Sequence, residues 1–238
     1  MPSAIAYVRL QEALRKPCCP LCHILKEAGL RYLENLLYEN VNDPGIRKML
    51  DSSWGFCERH TRALASLTQY SLGIAIINES LLNKVLKLFK ETVRLDFFKH
   101  SSKYFSKKSK ARVRTGAELA TLLNPTVGCP ACEVEDHTIE TVLDELNYQL
   151  ARGDSNITSL YHSSPGLCLP HLRRALSQGG DPAGIRALIE LHIQKLEELQ
   201  SELNEYIRKH DYRYSAEPWG REKDSWLRSL QFLGGGIF

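Results

Sequence analysis

One pattern constrains this chain more than any other: a Cys-Pro-x-Cys tetrad followed at long range by a Gly-x-Cys-x-x-His element, and the whole arrangement occurs twice. Cys19-Pro20-Leu21-Cys22 precedes Gly55-Phe56-Cys57-Glu58-Arg59-His60, and Cys129-Pro130-Ala131-Cys132 precedes Gly166-Leu167-Cys168-Leu169-Pro170-His171. The copies are offset by 110 residues at the first half-motif and 111 at the second. Leu33 matches Leu143, Leu36 matches Leu146, Tyr38 matches Tyr148, Leu50 matches Leu160 and Arg62 matches Arg173. An ancient duplication accounts for this, giving two pseudo-repeated units related by a pseudo-two-fold.

The surrounding pattern is helical. Apolar residues recur at three and four positions in Leu30, Leu33, Leu36, Leu37 and in Ile139, Val142, Leu143, Leu146, the stripe of an amphipathic helix. Pro is tolerated at the first helical position because the N–H it lacks has no partner there, so each Cys-Pro-x-Cys sits at a helix start. Long helices are expected from Leu72 to about Phe98 and from Asp181 to about His210. No segment alternates in polarity as a strand does. The expectation is an all-α protein: a first metal-binding unit at 1–98, a basic linker and short helix at 99–124, a second unit at 125–210, and an aromatic C-terminal helical cap at 211–238 that frays at Gly234-Gly235-Gly236.

Three thiolates and an imidazole form a tetrahedral zinc set, and a helix N-terminus favours the thiolate form. Read by proximity along the chain, the sets are Cys19, Cys22, Cys57, His60 and Cys129, Cys132, Cys168, His171, each stapling its own unit and together holding two zinc ions. The spacing equally allows ligands pooled from both units into one shared site. Four protein ligands leave no open position for a catalytic water. Alternatives use the same residues: an iron–sulfur cluster, or a redox dithiol, although the latter lacks its βαβ context and leaves the Cys-x-x-His elements unexplained. Seven cysteines cannot all pair within one chain, and six are absorbed here. Cys18, aligned with Gly128, is left over.

Other features carry less. His192 falls on an apolar helix face and reads as a hydrogen-bonded core histidine. Tyr206, Tyr212, Tyr214, Trp219 and Trp226 read as packing of the tail onto the helices. Seven Lys or Arg and no acid lie between Lys99 and Arg114, turning the net charge of +3 into −4 for the remainder. Such a run is usually a solvated linker, yet with Tyr104 and Phe105 it could contact nucleic acid through phosphates and stacked bases. No apolar stretch approaches the roughly 20 residues of a membrane span. Arg9, Glu12 and Arg15 interrupt the first sixteen residues, so export is not expected. No phosphate loop, paired-carboxylate motif or Ser/His/Asp order is recognisable.

The duplicated motifs, with the tail Arg208-Lys209-His210-Asp211-Tyr212-Arg213, resemble a bacterial family catalogued as a domain of unknown function. The likeness runs over nearly the whole chain; Leu167 in place of Phe56, and Pro170 before His171, are its departures. It implies a bacterial cytoplasmic protein and supplies no activity. The functional expectation is therefore a non-enzymatic zinc protein that presents a surface to another macromolecule, most simply a protein partner.

Overall fold

The computed structural model describes residues 3–100, 116–214 and 216–236, with the backbone alone for 94–100. Eleven α-helices and no strand occur among the described residues: α1 (Ala4–Leu14), α2 (Pro20–Glu39), α3 (Pro44–Ser53), α4 (Glu58–Ser66), α5 (Ser71–His100), α6 (Gly116–Leu123), α7 (Pro130–Ala151), α8 (Ser155–Ser163), α9 (Leu169–Gln178), α10 (Pro182–Lys209) and α11 (Ser225–Gly234). The all-α expectation holds, and among these helices none is long and apolar enough to cross a membrane. Of the basic run, residues 101–114, with Tyr104 and Phe105, lie outside the described residues.

Helix starts follow the local chemistry. Asp43, Asp154 and Asp181 each accept a hydrogen bond from a first-turn N–H, of Ile46, Ile157 and Ala183 respectively. Cys57 and Cys168 hold the equivalent cap positions of α4 and α9, both with extended backbone, and neither sulfur caps its own helix. Those sulfurs are committed elsewhere. Gly55 and Gly166, two residues upstream of these cysteines, adopt φ of 86° and 76°, where a side chain would be strained.

The chain forms two compact units. One comprises Met1–Ala28 with Glu135–Phe238, the other Gly29–Val134, so the boundary passes through α2 and through α7. This division differs from the sequence halves 1–98 and 125–210. Each unit has its own core. In the discontinuous unit Leu10, Leu14, Leu21 and Ile24 pack with Val142, Leu146, Ile157, Tyr161, Leu167 and Leu188; in the continuous one Leu33, Leu36, Leu37, Leu50, Leu64 and Ile77 pack with Ala131. Burying each such aliphatic side chain stabilises the fold by roughly 1.5 to 3 kcal/mol.

The tail belongs to the discontinuous unit. A short 3-10 turn at Arg221–Asp224 and then α11 contact α10, and α11 also contacts α9. Trp219 packs on Tyr206 and His210 at ring separations of 5.4 and 5.3 Å, Lys209 donates to Glu222 at 2.6 Å, and Arg228 pairs with Glu202. Trp219 thus packs on a helix, as expected, whereas Tyr212 and Trp226, expected to pack as well, are exposed. His192 is also a core histidine, buried with its ring nitrogens 3.0 Å from the Leu188 carbonyl and 3.2 Å from the Leu167 carbonyl.

Candidate metal centres

The backbone presents the leading cysteine of each half-motif in the same way. The carbonyls of Cys19, Cys57, Cys129 and Cys168 each accept the first hydrogen bond of the helix that follows, from His23, Thr61, Glu133 and Leu172 at 2.8–3.1 Å. All four half-motifs therefore sit at helix N-termini, as expected from Pro20 and Pro130. The thiol of each leading cysteine lies at the positive end of a helix, and the third residue on, Cys or His, follows on the same turn.

How the half-motifs combine corrects the sequence reading. Cys19 and Cys22 meet Cys168 and His171, while Cys129 and Cys132 meet Cys57 and His60. The quartets Cys19, Cys22, Cys57, His60 and Cys129, Cys132, Cys168, His171 do not form, and neither does one pooled site. Helix length explains this. Residues 50 and 64, which flank the Cys57–His60 element, pack around Leu33, Leu36 and Leu37 near the far end of α2. Leu36 lies about 21 Å along the helix axis from Cys22, too far for one coordination shell. The same argument separates Cys132 from Leu146, whose neighbours Leu167 and Ala175 bracket Cys168 and His171. Each long helix sends its Cys-Pro-x-Cys end to the other motif's Cys-x-x-His.

Both clusters have the dimensions of one tetrahedral ion. In the first, Cys22 and Cys168 sulfurs are 3.8 Å apart, and His171 Nδ1 lies 3.4, 3.4 and 3.1 Å from the sulfurs of Cys19, Cys22 and Cys168. In the second, Cys57 and Cys132 sulfurs are 3.6 Å apart, and His60 Nδ1 lies 3.2, 3.5 and 3.5 Å from Cys57, Cys129 and Cys132. A tetrahedron with zinc–sulfur bonds of about 2.3 Å and zinc–nitrogen bonds of about 2.05 Å has edges of about 3.8 Å between sulfurs and about 3.5 Å from sulfur to nitrogen. The four donor atoms of each set lie within 4.8 Å of one another.

Crowding sets the ionisation. In the first cluster hydrogen bonds from the Cys168 and Cys19 thiols hold Cys22 well below the ordinary thiol range, against burial, while Cys19 is pushed far up and keeps its proton. Burial opposes charge on His171, yet its contacts with Cys168 and Cys22 raise it to about 9. In the second, burial pushes the Cys57 thiol up, but the His60 backbone N–H and neighbouring thiols bring it to about 7; burial and the two neighbouring sulfurs drive Cys132 to about 12. Three thiolates cannot share one shell without a cation, and a divalent ion displaces their protons.

The clusters differ in their surroundings. Cys19 and Cys168 are buried and Cys22 is half-buried, whereas Cys57, Cys129 and Cys132 are all half-buried. The Arg59 guanidinium lies 3.8 Å from the Cys132 sulfur. The Gly236 N–H donates to Cys22 at 3.4 Å. Neither partner is legible from the ligand spacing: Arg59 lies inside the Cys57–His60 element, and the Gly234–Gly236 run, expected to fray, forms a left-handed turn at Gly235 and Gly236. Cys18 is buried and outside both clusters.

Fold and site together define an all-helical protein with two Cys₃His clusters suited to metal ions. A family model described as a family of unknown function, DUF6062, matches residues 1–238, and the chain belongs to that family. It is similar to an uncharacterized 23.9 kDa protein in the xynA 3' region of Caldicellulosiruptor sp. (strain Rt8B.4), 22% identical over 229 residues that cover 94% of this chain and 98% of the relative. No solved structure matches it significantly.

Proposed function

We propose that this protein is a non-enzymatic, zinc-stabilised helical adaptor of the bacterial cytoplasm, with one structural zinc in each compact unit and a macromolecular partner. The observation that carries the metal reading is the pair of quartets whose donor separations match the edges of one tetrahedron. Those separations favour a single ion over an iron–sulfur cluster, because a cluster interposes several irons and spreads its thiolates apart. Soft sulfur with one imidazole suits zinc, and four protein donors leave no site for a reacting water.

The interaction role is supported by α5. Leu82, Leu86, Phe89 and Val93 recur at four, three and four residues and are all exposed, with Leu82 63% and Val93 68% accessible. A contiguous apolar stripe of this kind is unusual on a surface that meets only water, and the spacing fits an apolar helical protein segment.

Elemental analysis of the purified chain, with its visible spectrum, tests the metal reading. The expected result is a colourless protein holding about two zinc per chain, whose helical circular dichroism collapses in a strong chelator. Protein that purifies free of metal and keeps its fold in chelator overturns it. A brown protein with charge-transfer absorption would favour the iron–sulfur alternative.

A further inference from the structure

The two clusters have the same donors and different covers. In the discontinuous unit α11 is tied to α10 by Arg228, which pairs with Glu202 and at 2.8 Å with Asp224, and α11 also contacts α9, the helix that Cys168 begins. Beyond α11 the backbone turns at Gly235, φ 70° and ψ −172°, a conformation essentially confined to glycine. A Cβ at Gly235 would lie 3.2 Å from the Cys168 sulfur and 3.7 Å from Pro170 Cγ. The next residue, Gly236, also has positive φ, at 96°, and directs its N–H at the Cys22 sulfur. Two consecutive glycines therefore lay bare backbone across two of the three sulfurs and give one of them a hydrogen bond. In the continuous unit a long, flexible arginine side chain approaches Cys132, and all three sulfurs are half-buried.

Resting on the metal reading above, we propose that the Gly235–Gly236 turn is a strap over the Cys19, Cys22, Cys168, His171 centre, making it the slowly exchanging metal site and leaving the Cys57, His60, Cys129, Cys132 centre as the labile one. The strap acts in two ways. Its N–H stabilises charge on the Cys22 thiolate, the kind of outer contact whose loss typically costs ten- to a hundredfold in metal affinity. Its backbone also occupies the path by which a chelator would reach Cys22 and Cys168. Glycine at both positions accommodates the positive φ, and at Gly235 it also spares the Cys168 sulfur a tight contact, which gives the glycine run a function.

The experiment compares the full-length chain with Gly235→Ala, which adds the Cβ against Cys168, and Gly236→Pro, which removes the donated N–H. Gly153→Ala is the control: Gly153 also has positive φ, 67°, in the same unit, but a Cβ there meets nothing within 4 Å. Metal content is measured first. Release to a chromogenic zinc chelator is then followed in time, with pulses of N-ethylmaleimide and peptide mapping to show which cysteines are freed in each phase. The wild type is expected to release metal in two phases, the fast one freeing Cys57, Cys129 and Cys132. In both strap variants the slow phase accelerates about tenfold or more while the fast phase stays put, and the control behaves as wild type. A slow phase unchanged in both variants, a slow phase that maps to Cys57, or equal acceleration of both phases overturns the strap. Wild-type protein without metal at the first step overturns the metal reading itself, so the two failures are distinguishable.

Discussion

Replacing Cys19 by Ser removes one sulfur from the cluster shared with Cys22, Cys168 and His171. Metal content is expected to fall from two ions to one per chain. Timed alkylation should then label Cys22 and Cys168 while Cys57, Cys129 and Cys132 stay protected; labelling of Cys57 in place of Cys168 would restore the pairing by sequence neighbours. Cys18→Ala should keep both ions, since Cys18 is buried outside the clusters. Elemental analysis distinguishes the two cysteines that stand side by side.

His192 carries a pH prediction. Burial, opposed by the Leu188 and Leu167 carbonyls, holds its imidazole below the ordinary value of 6.5. The unfolded chain therefore binds this proton first as pH falls. Its contribution is complete above about pH 6.5 and drains as acid approaches the folded value, with a slope of up to about 1.4 kcal/mol per pH unit. His192→Gln should flatten that part of the stability curve relative to wild type, measured by denaturant unfolding at each pH. Parallel curves would show that His192 does not set it. At this scale the eight candidate ligands are legible, because Cys and His at fixed spacing carry their chemistry in the letters. Gly236 was not, because its contribution is a backbone N–H that every residue except Pro possesses.

Among the elements, boundaries were readable to within a residue or two wherever a cap or a proline marks them. The helix expected from Asp181 to about His210 is α10, Pro182–Lys209, with those two residues as its caps, and the helix expected from Leu72 to about Phe98 is α5, Ser71–His100. Pairing of elements was not readable. Periodicity says which face of α2 is apolar, not which half of its 20 residues meets which partner. That distinction fixes a mutational contrast. Leu36→Ala, in a side chain 2% exposed, should cost about 2 to 5 kcal/mol of unfolding free energy. Leu86→Ser, at 47% exposure on α5, should cost under about 0.5 kcal/mol. A comparable loss at both positions would mean that the α5 stripe is covered in the protein alone.

For the whole molecule, metal should be a condition of folding. A structural zinc contributes an apparent 10 to 16 kcal/mol in peptide sites, as much as the entire net stability of a typical domain at about 5 to 15 kcal/mol. Chelation in the presence of a thiol-trapping reagent should therefore give two unfolding transitions, one for each unit as its ion departs. A single transition would show that the units lose structure together. Duplication in the sequence suggested two units built from consecutive halves. The contact pattern instead assigns the first 28 residues to the unit that also contains the last 104. No local signal encodes that exchange, since it depends on where long helices end in space.

The division of the chain also gives its synthesis a direction. The unit of residues 29–134 is contiguous and holds its four donors within itself, so it can close while the ribosome is still working. Cys22 must wait for Cys168, 146 residues later. At roughly 5 to 20 residues per second that interval is on the order of ten to thirty seconds, during which the Cys19–Cys22 dithiol leads a nascent chain with no partner motif yet made. If metal is bound as proposed, the centre of residues 29–134 is expected to close first, and Cys19 and Cys22 to be secured only once Cys168 and His171 have been made.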